Sequence, residues 1–330
     1  MVRLNEDPKY GFVIGRVRAL EPALLDRPRY ERLVRARGGE EFAGALAETA
    51  YGRFLEGGAA GVSRALEDAA RDNSDFFSAH ALDEWLVLLL SLPPAFRSLK
   101  TALKTALLQG KSDVAPVKEL EALPEGPLIA RVVRDAVESF STNRDPAAVD
   151  AALDRLLQRI VLRVASASEF VAGYFGLHAD VENLRTLVRL KAREEANQAP
   201  AGEMQAAFLD GGRLTLAILQ AALPQPWDAV LDLLAKAPPH GAGSDEFHEY
   251  IEQGRAALAG RRSFVRLERL GREAELRYLR QTRYATFGHE PLVTYFLLRE
   301  NELRNLRLVY AAKLAGRAVE ETQDLVAYVE

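Results

Sequence analysis

The stretch Glu182-Asn-Leu-Arg-Thr-Leu-Val-Arg-Leu-Lys191 recurs in altered form as Arg304-Asn-Leu-Arg-Leu-Val-Tyr-Ala-Ala-Lys313. In both copies Asn-Leu-Arg is followed by a Lys eight residues after the Asn, and an apolar residue, Leu187 or Val309, stands four after it. Each copy follows an aromatic segment, Phe170-Val-Ala-Gly-Tyr-Phe175 in one and Tyr295-Phe296 in the other. Apolar spacings of three and four place these residues on one face of a helix. A worn third copy reads Arg97-Ser-Leu-Lys-Thr-Ala-Leu-Lys104 after Phe96. Such self-similarity marks repeated structural modules. Asn is a poor residue for a helix interior, costing about 0.5–0.7 kcal/mol against Ala because its amide competes for backbone hydrogen bonds. An Asn held at one place in two copies therefore needs a fixed partner. Asn183 and Asn305 are expected to hydrogen-bond a neighbouring helix end inside their modules.

Working outward, the same helical spacing covers most of the chain. Tyr10, Val13, Val17, Leu20 and Leu24 form one stripe, with Arg16 and Arg18 off it. Phe42, Leu46, Thr49 and Phe54 form a second that stops at Gly57-Gly58, and Val62, Leu66 and Ala69 form a third. Alternating runs rich in Val, Ile and Thr are nearly missing, so the fold class is all-α. The apolar run from Trp85 reaches Leu92, where Pro93-Pro94 is expected to stop it. Turn-forming clusters at residues 110–127, 196–202 and 236–245 break the pattern. They divide the chain into modules at 1–113, 114–203 and 204–330.

Composition excludes several classes of function. The 330 residues carry 43 Lys and Arg against 47 Asp and Glu, a formal charge of −4, with 48% hydrophobic residues. These are globular values, not those of a disordered tail or a strongly basic nucleic-acid binder. With no Cys there is no disulfide, thiolate metal site or Cys nucleophile, and a reducing cytoplasm is the expected compartment. The start, Met1-Val-Arg-Leu-Asn-Glu-Asp-Pro8, lacks the apolar core of a secretory signal. No apolar run approaches the roughly 20 residues of a bilayer span, so a transmembrane segment is not expected.

Catalytic patterns fail on their own geometry. Gln109-Gly110-Lys111-Ser112 resembles the end of a phosphate-binding loop, but Thr105 stands where the leading Gly belongs and no strand precedes it. Gly110 reads instead as a helix stop, with Lys111 near the negative end of the dipole. His248-Glu249 starts like a zinc-protease helix, yet Glu252 occupies the place of the second His. His178, Asp180 and Glu182, two apart, spread over different helix faces. No nucleophile elbow or dinucleotide fingerprint occurs. The sequence therefore points to no catalytic residue, no cofactor and no metal.

One charged feature is uneven. Residues 255–283 hold nine arginines against Glu268, Glu273 and Glu275. Leu267, Leu270, Ala274 and Tyr278 form the apolar stripe, so Arg262, Arg266, Arg269, Arg277 and Arg280 largely occupy another face. Two readings follow: a solvated helix supported by acids at i,i+4, or a basic docking face for an acidic protein surface or anionic head groups. Arg185 and Arg307, from the repeat, divide between internal salt bridges and partner contacts.

Taken in order, these pieces resemble the C subunit of the V/A-type rotary ATPases, the counterpart of the d subunit of the eukaryotic vacuolar enzyme. The resemblance is carried by Tyr10, Arg16-Val-Arg-Ala19, Leu24-Leu25, Thr49-Ala-Tyr51, Asp145-Pro-Ala-Ala-Val-Asp150 and Leu153-Asp154. It continues through Glu182-Asn-Leu-Arg185, Phe208-Leu-Asp-Gly-Gly212, Pro291-Leu-Val-Thr-Tyr295, Glu300, Glu302, Asn305-Leu-Arg307 and Lys313 to Gly316. The first module departs from the family pattern, with Ser98-Leu99-Lys100 where the Asn-Leu-Lys/Arg run belongs.

The resemblance implies a non-catalytic rotor subunit: three similar helical bundles in pseudo-threefold arrangement, forming a funnel around a central cavity. It would couple the central-shaft subunits to the membrane proteolipid ring during proton or sodium transport, peripheral to the cytoplasmic face of the membrane. Partner contacts would fall to Arg262, Arg266, Arg269, Arg277, Arg280, Arg185 and Arg307. The alternatives are a free-standing helical-repeat scaffold and an all-α enzyme with an acidic metal pocket, to which Asp68, Asp72 and Asp75 come nearest.

Overall fold

The computed structural model describes residues 4–5, 7–109, 120, 123, 125–195, 202–237, 241–258 and 263–328. Among the described residues there are fifteen α-helices joined by turns and short 3₁₀ segments, and no β-strand. The all-α expectation is met. Two compact units form, one from residues 1–82 with 248–330 and the other from 83–247.

The first unit opens with α1 (Gly11–Leu20), α2 (Arg27–Arg35), α3 (Gly39–Ala47) and α4 (Val62–His80). Local chemistry sets their starts: Asp26 caps α2 by accepting the Arg29 amide, with Pro28 inside the first turn where its missing N–H costs nothing. The stripes read from the sequence are buried at Tyr10, Val13 and Val17, at Phe42 and Leu46, and at Val62, Leu66 and Ala69, but Leu20, Leu24, Thr49 and Phe54 are only half-buried, the last three because α1 stops at Leu20 and α3 at Ala47.

The second unit holds α5 (Glu84–Leu108), α6 (Gly126–Asn143), α7 (Pro146–Ala165), α8 (Glu169–Glu195), α9 (Glu203–Ala207), α10 (Leu216–Ala222) and α11 (Trp227–Leu234). The expected stop at Pro93-Pro94 does not occur, because α5 runs through both prolines. Two backbone donors are lost there, but Leu89, Leu92, Phe96 and Leu99 are fully buried on both sides of the pair, and that packing holds the helix together. By length and composition α5 is long and apolar enough to cross a membrane, with 39% of its apolar window buried here. In this fold it packs on α7, with Lys100 paired to Asp154 and Lys104 to Asp150. Gly110 and Lys111, read as a helix stop, lie outside the described residues.

The chain ends with α12 (Ser244–Leu258), which begins in the second unit, then α13 (Phe264–Leu279), α14 (Glu290–Leu314) and α15 (Val319–Gln323) in the first. Helix α14 is the axis of its unit. It packs on α1, α3 and α4, buries every residue from Glu290 to Phe296, and farther on buries the charged Arg299, Glu302 and Lys313 while exposing Arg307 and Leu314. Where it is buried without a break, from Glu290 to Phe296, the helix cannot be amphipathic, and its buried polar residues must find partners inside.

Candidate partner-docking site

Both repeat asparagines have fixed partners, but only Asn305 finds its partner, Ala327, within its own expected module, whereas Asn183 reaches past the boundary at 203 to Leu209. Asn183 is fully buried on α8; its Nδ2 donates to the Leu209 carbonyl at 2.7 Å and its Oδ1 accepts the Leu209 amide at 2.9 Å. Asn305, 1% exposed on α14, repeats the arrangement: Nδ2 donates to the Ala327 carbonyl at 2.7 Å and Oδ1 accepts the Ala327 amide at 3.4 Å. The captured residues follow short helices, α9 and α15, so each Asn fastens a returning segment to the long repeat helix.

Sequence reasoning misses a second residue of this device. Three positions before each Asn stands an acid, Asp180 or Glu302, also buried. Asp180 accepts the amides of Arg213 at 2.9 Å and Leu214 at 2.8 Å. Glu302 accepts the Leu25 amide and, at 2.7 Å, the Tyr51 hydroxyl. Burial raises the pKa of both, that of Glu302 to about 7 even with the Arg299 guanidinium nearby. The available signal is an acid at i−3 in both copies, the same helix face one turn earlier. Weighing Asp180 only against His178 and Glu182 hides that relation. The Phe208–Gly212 motif has a physical reason here: a Cβ on Gly212 would overlap the Asp180 carboxylate, and Gly211 takes a positive φ of 96° beside Leu162.

The candidate arginines separate into two groups. Arg269 and Arg277 are half-buried and engaged within the first unit: Arg269 lies 3.2 Å from Asp324 and 3.5 Å from Glu273, and Arg277 lies 3.1 Å from Glu249. Both line a cavity of about 530 Å³ together with Glu31, Glu273, Glu320 and Asp324, so acids outnumber arginines there. That part of the expected basic face is balanced from within. Burial raises the Glu273 pKa even though Arg269, Arg277 and Arg266 oppose it.

Arg266 and Arg280 are exposed and form no ion pair with a described residue. Arg307, also exposed, donates to the Leu66 carbonyl at 3.3 Å. Arg185 lies in the other unit, 3.3 Å from Glu182 on its own helix, and Arg262 falls outside the described residues. The structure thus leaves two arginines of α13 and its C-terminal cap available to an outside partner. Sequence periodicity assigns a face to each arginine but cannot reveal Asp324 and Glu249, which come from elements distant in the chain.

Among the described residues no group of three or more His, Cys, Asp or Glu is placed to hold a metal ion, and Asp68 and Asp72 are engaged in salt bridges with Arg71 and Arg53. No curated protein matches the chain. A family model described as "ATP synthase (C/AC39) subunit" matches residues 91–325, most of the sequence, including both Asn-Leu-Arg copies and the glycine turn that Asp180 holds. The chain belongs to that family, the C/AC39 subunits of the V/A-type ATPases.

Proposed function

We propose that this protein is a non-catalytic rotor subunit that couples the central-shaft subunits of a V/A-type ATPase to the membrane proteolipid ring, from a peripheral position on the cytoplasmic face. The observation that carries the reading is the family match over residues 91–325. The interior chemistry supports it. A coupling that carries torque must resist shear, and two long helices here hold their return segments through buried side-chain-to-backbone pairs, Asn183 with Leu209 and Asn305 with Ala327. Dense interiors transmit strain, and satisfied buried polar groups fix one arrangement of the backbone.

In this reading the three sequence modules, 1–113, 114–203 and 204–330, make up a pseudo-threefold funnel. The long helices of the second and third modules each carry the acid and the Asn, those of the second holding Leu209, Arg213 and Leu214 across the boundary at 203. The first lacks both, since Ser98 replaces the Asn and Ala95 the acid. Arg266 and Arg280 supply charged contacts to a partner, and such contacts set register and encounter rate more than net affinity.

The test is retention of the purified chain on detergent-solubilised proteolipid ring and, separately, on the purified shaft subunits. Binding to both, weakened by salt, is the expected result. Binding to neither makes the chain a scaffold for other proteins and removes the rotor assignment.

A further inference from the structure

A second cavity of the first unit, about 390 Å³, lies between the linker after α1, the end of α13 and the middle of α14. Its wall is largely apolar, with Leu24, Leu25, Leu276, Leu279 and Leu298 facing the space. Tyr30 and Tyr328 border it, stacked on one another at 5.6 Å between ring centres. Three arginines line its rim. Arg18 is used internally, donating to the carbonyls of Thr282 at 2.7 Å and Ala285 at 2.9 Å and pairing with Glu21. Arg280 and Arg283 are exposed, and neither pairs with an acid of the described residues. The guanidinium of Arg283 lies over the Tyr284 ring at 5.5 Å.

Just beyond the rim the chain exposes two large aromatics, Tyr284 at 83% and Phe287 at 45%. A leucine-walled pocket, arginines without an ion pair and exposed aromatic rings within one short segment are the ingredients of an interface hot spot. We propose that this surface docks an acidic amphipathic helix from a partner protein. A leucine or phenylalanine of that helix enters the cavity, carboxylates one turn away pair with Arg280 and Arg283, and its flank lies on Tyr284 and Phe287. The choice of an acidic partner follows from charge: the two acids that line the cavity are already engaged, Glu21 with Arg18 and Glu302 with the Leu25 amide and the Tyr51 hydroxyl, which leaves Arg280 and Arg283 at its mouth without an ion pair among the described residues. The choice of a helix follows from shape, since one apolar anchor with acids at i±4 presents this pattern from a single face. The inference rests on the rotor reading only for which protein supplies the helix.

The experiment uses the full-length chain and a fluorescent synthetic helical peptide with leucines at i,i+4 flanked by glutamates, compared with the same peptide carrying lysines for glutamates. Fluorescence anisotropy should show the glutamate peptide binding about tenfold or more tightly than the lysine peptide, with affinity falling as salt rises. The double variant Arg280→Glu, Arg283→Glu, both positions exposed and its fold checked by circular dichroism, should abolish that preference. Failure of the glutamate peptide to bind, equal binding of the two peptides, or an unchanged preference in the double variant overturns the proposal. Dodecanoate serves as a control: if it binds in an arginine-dependent way while the glutamate peptide does not, the cavity belongs to a small anionic amphiphile and the proposal is overturned. None of these readouts involves ring or shaft, so the rotor assignment stands or falls separately.

Discussion

Asn183 and Leu209 exchange two hydrogen bonds, amide to carbonyl and amide to carboxamide oxygen, across 26 positions of sequence. Asn305 and Ala327 do the same across 22, and Asn305 Nδ2 also reaches the Tyr30 hydroxyl at 3.2 Å. A carboxamide offers a donor and an acceptor in the geometry of a backbone amide, which is why neither position can be replaced by an isostere of one kind only.

Asn305→Ala leaves the Ala327 amide and carbonyl buried with their partner gone. A loss of about 2–4 kcal/mol is expected, from roughly 1–3 kcal/mol for each buried group left unsatisfied. Asn305→Asp keeps an acceptor for the amide but sets a carboxylate against the Ala327 carbonyl, so it should be no better than Ala. Urea unfolding of the three proteins checks both statements, and an Asp variant as stable as the natural chain would remove the two-bond account.

Glu302 gives stability a pH dependence of defined sign. Burial lifts its pKa from 4.5 to about 7, so the folded chain binds a proton that the unfolded chain releases. The favourable state is therefore the protonated one. Stability should fall as pH rises from about 5 through 7 and level off above it, with a total of about 3 kcal/mol. The groups around the carboxyl are Tyr51, Tyr30, Arg299 and Arg29. Glu302→Gln can still accept from Leu25 and bond Tyr51, so it should flatten most of that slope. Urea midpoints measured across this pH range, in both proteins, give the comparison.

Gly212→Ala puts a methyl group into the Asp180 carboxylate, whose oxygens already hold the Arg213 and Leu214 amides. Neither the carboxylate nor the backbone can yield without breaking those bonds. A cost of about 1–3 kcal/mol is expected, the range for overpacking a filled interior. Proteolysis should then begin within residues 208–214, and an unchanged melting temperature would show that the turn relaxes freely.

Charge reversal should separate the four described arginines Arg266, Arg269, Arg277 and Arg280. Arg266→Glu and Arg280→Glu alter exposed positions and should leave stability within about 0.5 kcal/mol. Arg269→Glu faces Glu273 and Asp324, and Arg277→Glu faces Glu249, so each should destabilise by about 1–2 kcal/mol. Thermal melts at low and high salt check this, the second pair losing part of its deficit as salt screens the repulsion.

Much of this architecture can be read from residue spacing, because helix periodicity is a local property. Val13, Phe42, Leu66, Leu267 and Tyr278, drawn from the helical stretches of the stripes, are buried, and the need of Asn183 and Asn305 for fixed partners follows from the poor fit of Asn within a helix. What spacing cannot supply is the other half of each long-range pair. Asp324 and Glu249 neutralise arginines that periodicity leaves on an open face, and Leu25 and Tyr51 meet Glu302 from more than 250 positions away. Pro93-Pro94 misleads for a related reason: the local penalty is real, but packing on α7 outweighs it.

The discontinuity of the first unit bears on how the protein is born. Its opening 82 residues pack on a helix, α14, that leaves the ribosome only after roughly two hundred further residues have been translated. The intervening unit is contiguous and can complete itself first, while the opening helices wait with their stripes unburied. A nascent chain stalled before Glu290 would therefore expose Phe42, Leu46 and Leu66 to chaperones, and release of that client would be timed by the emergence of Leu303, Leu306 and Val309, which close the core around them.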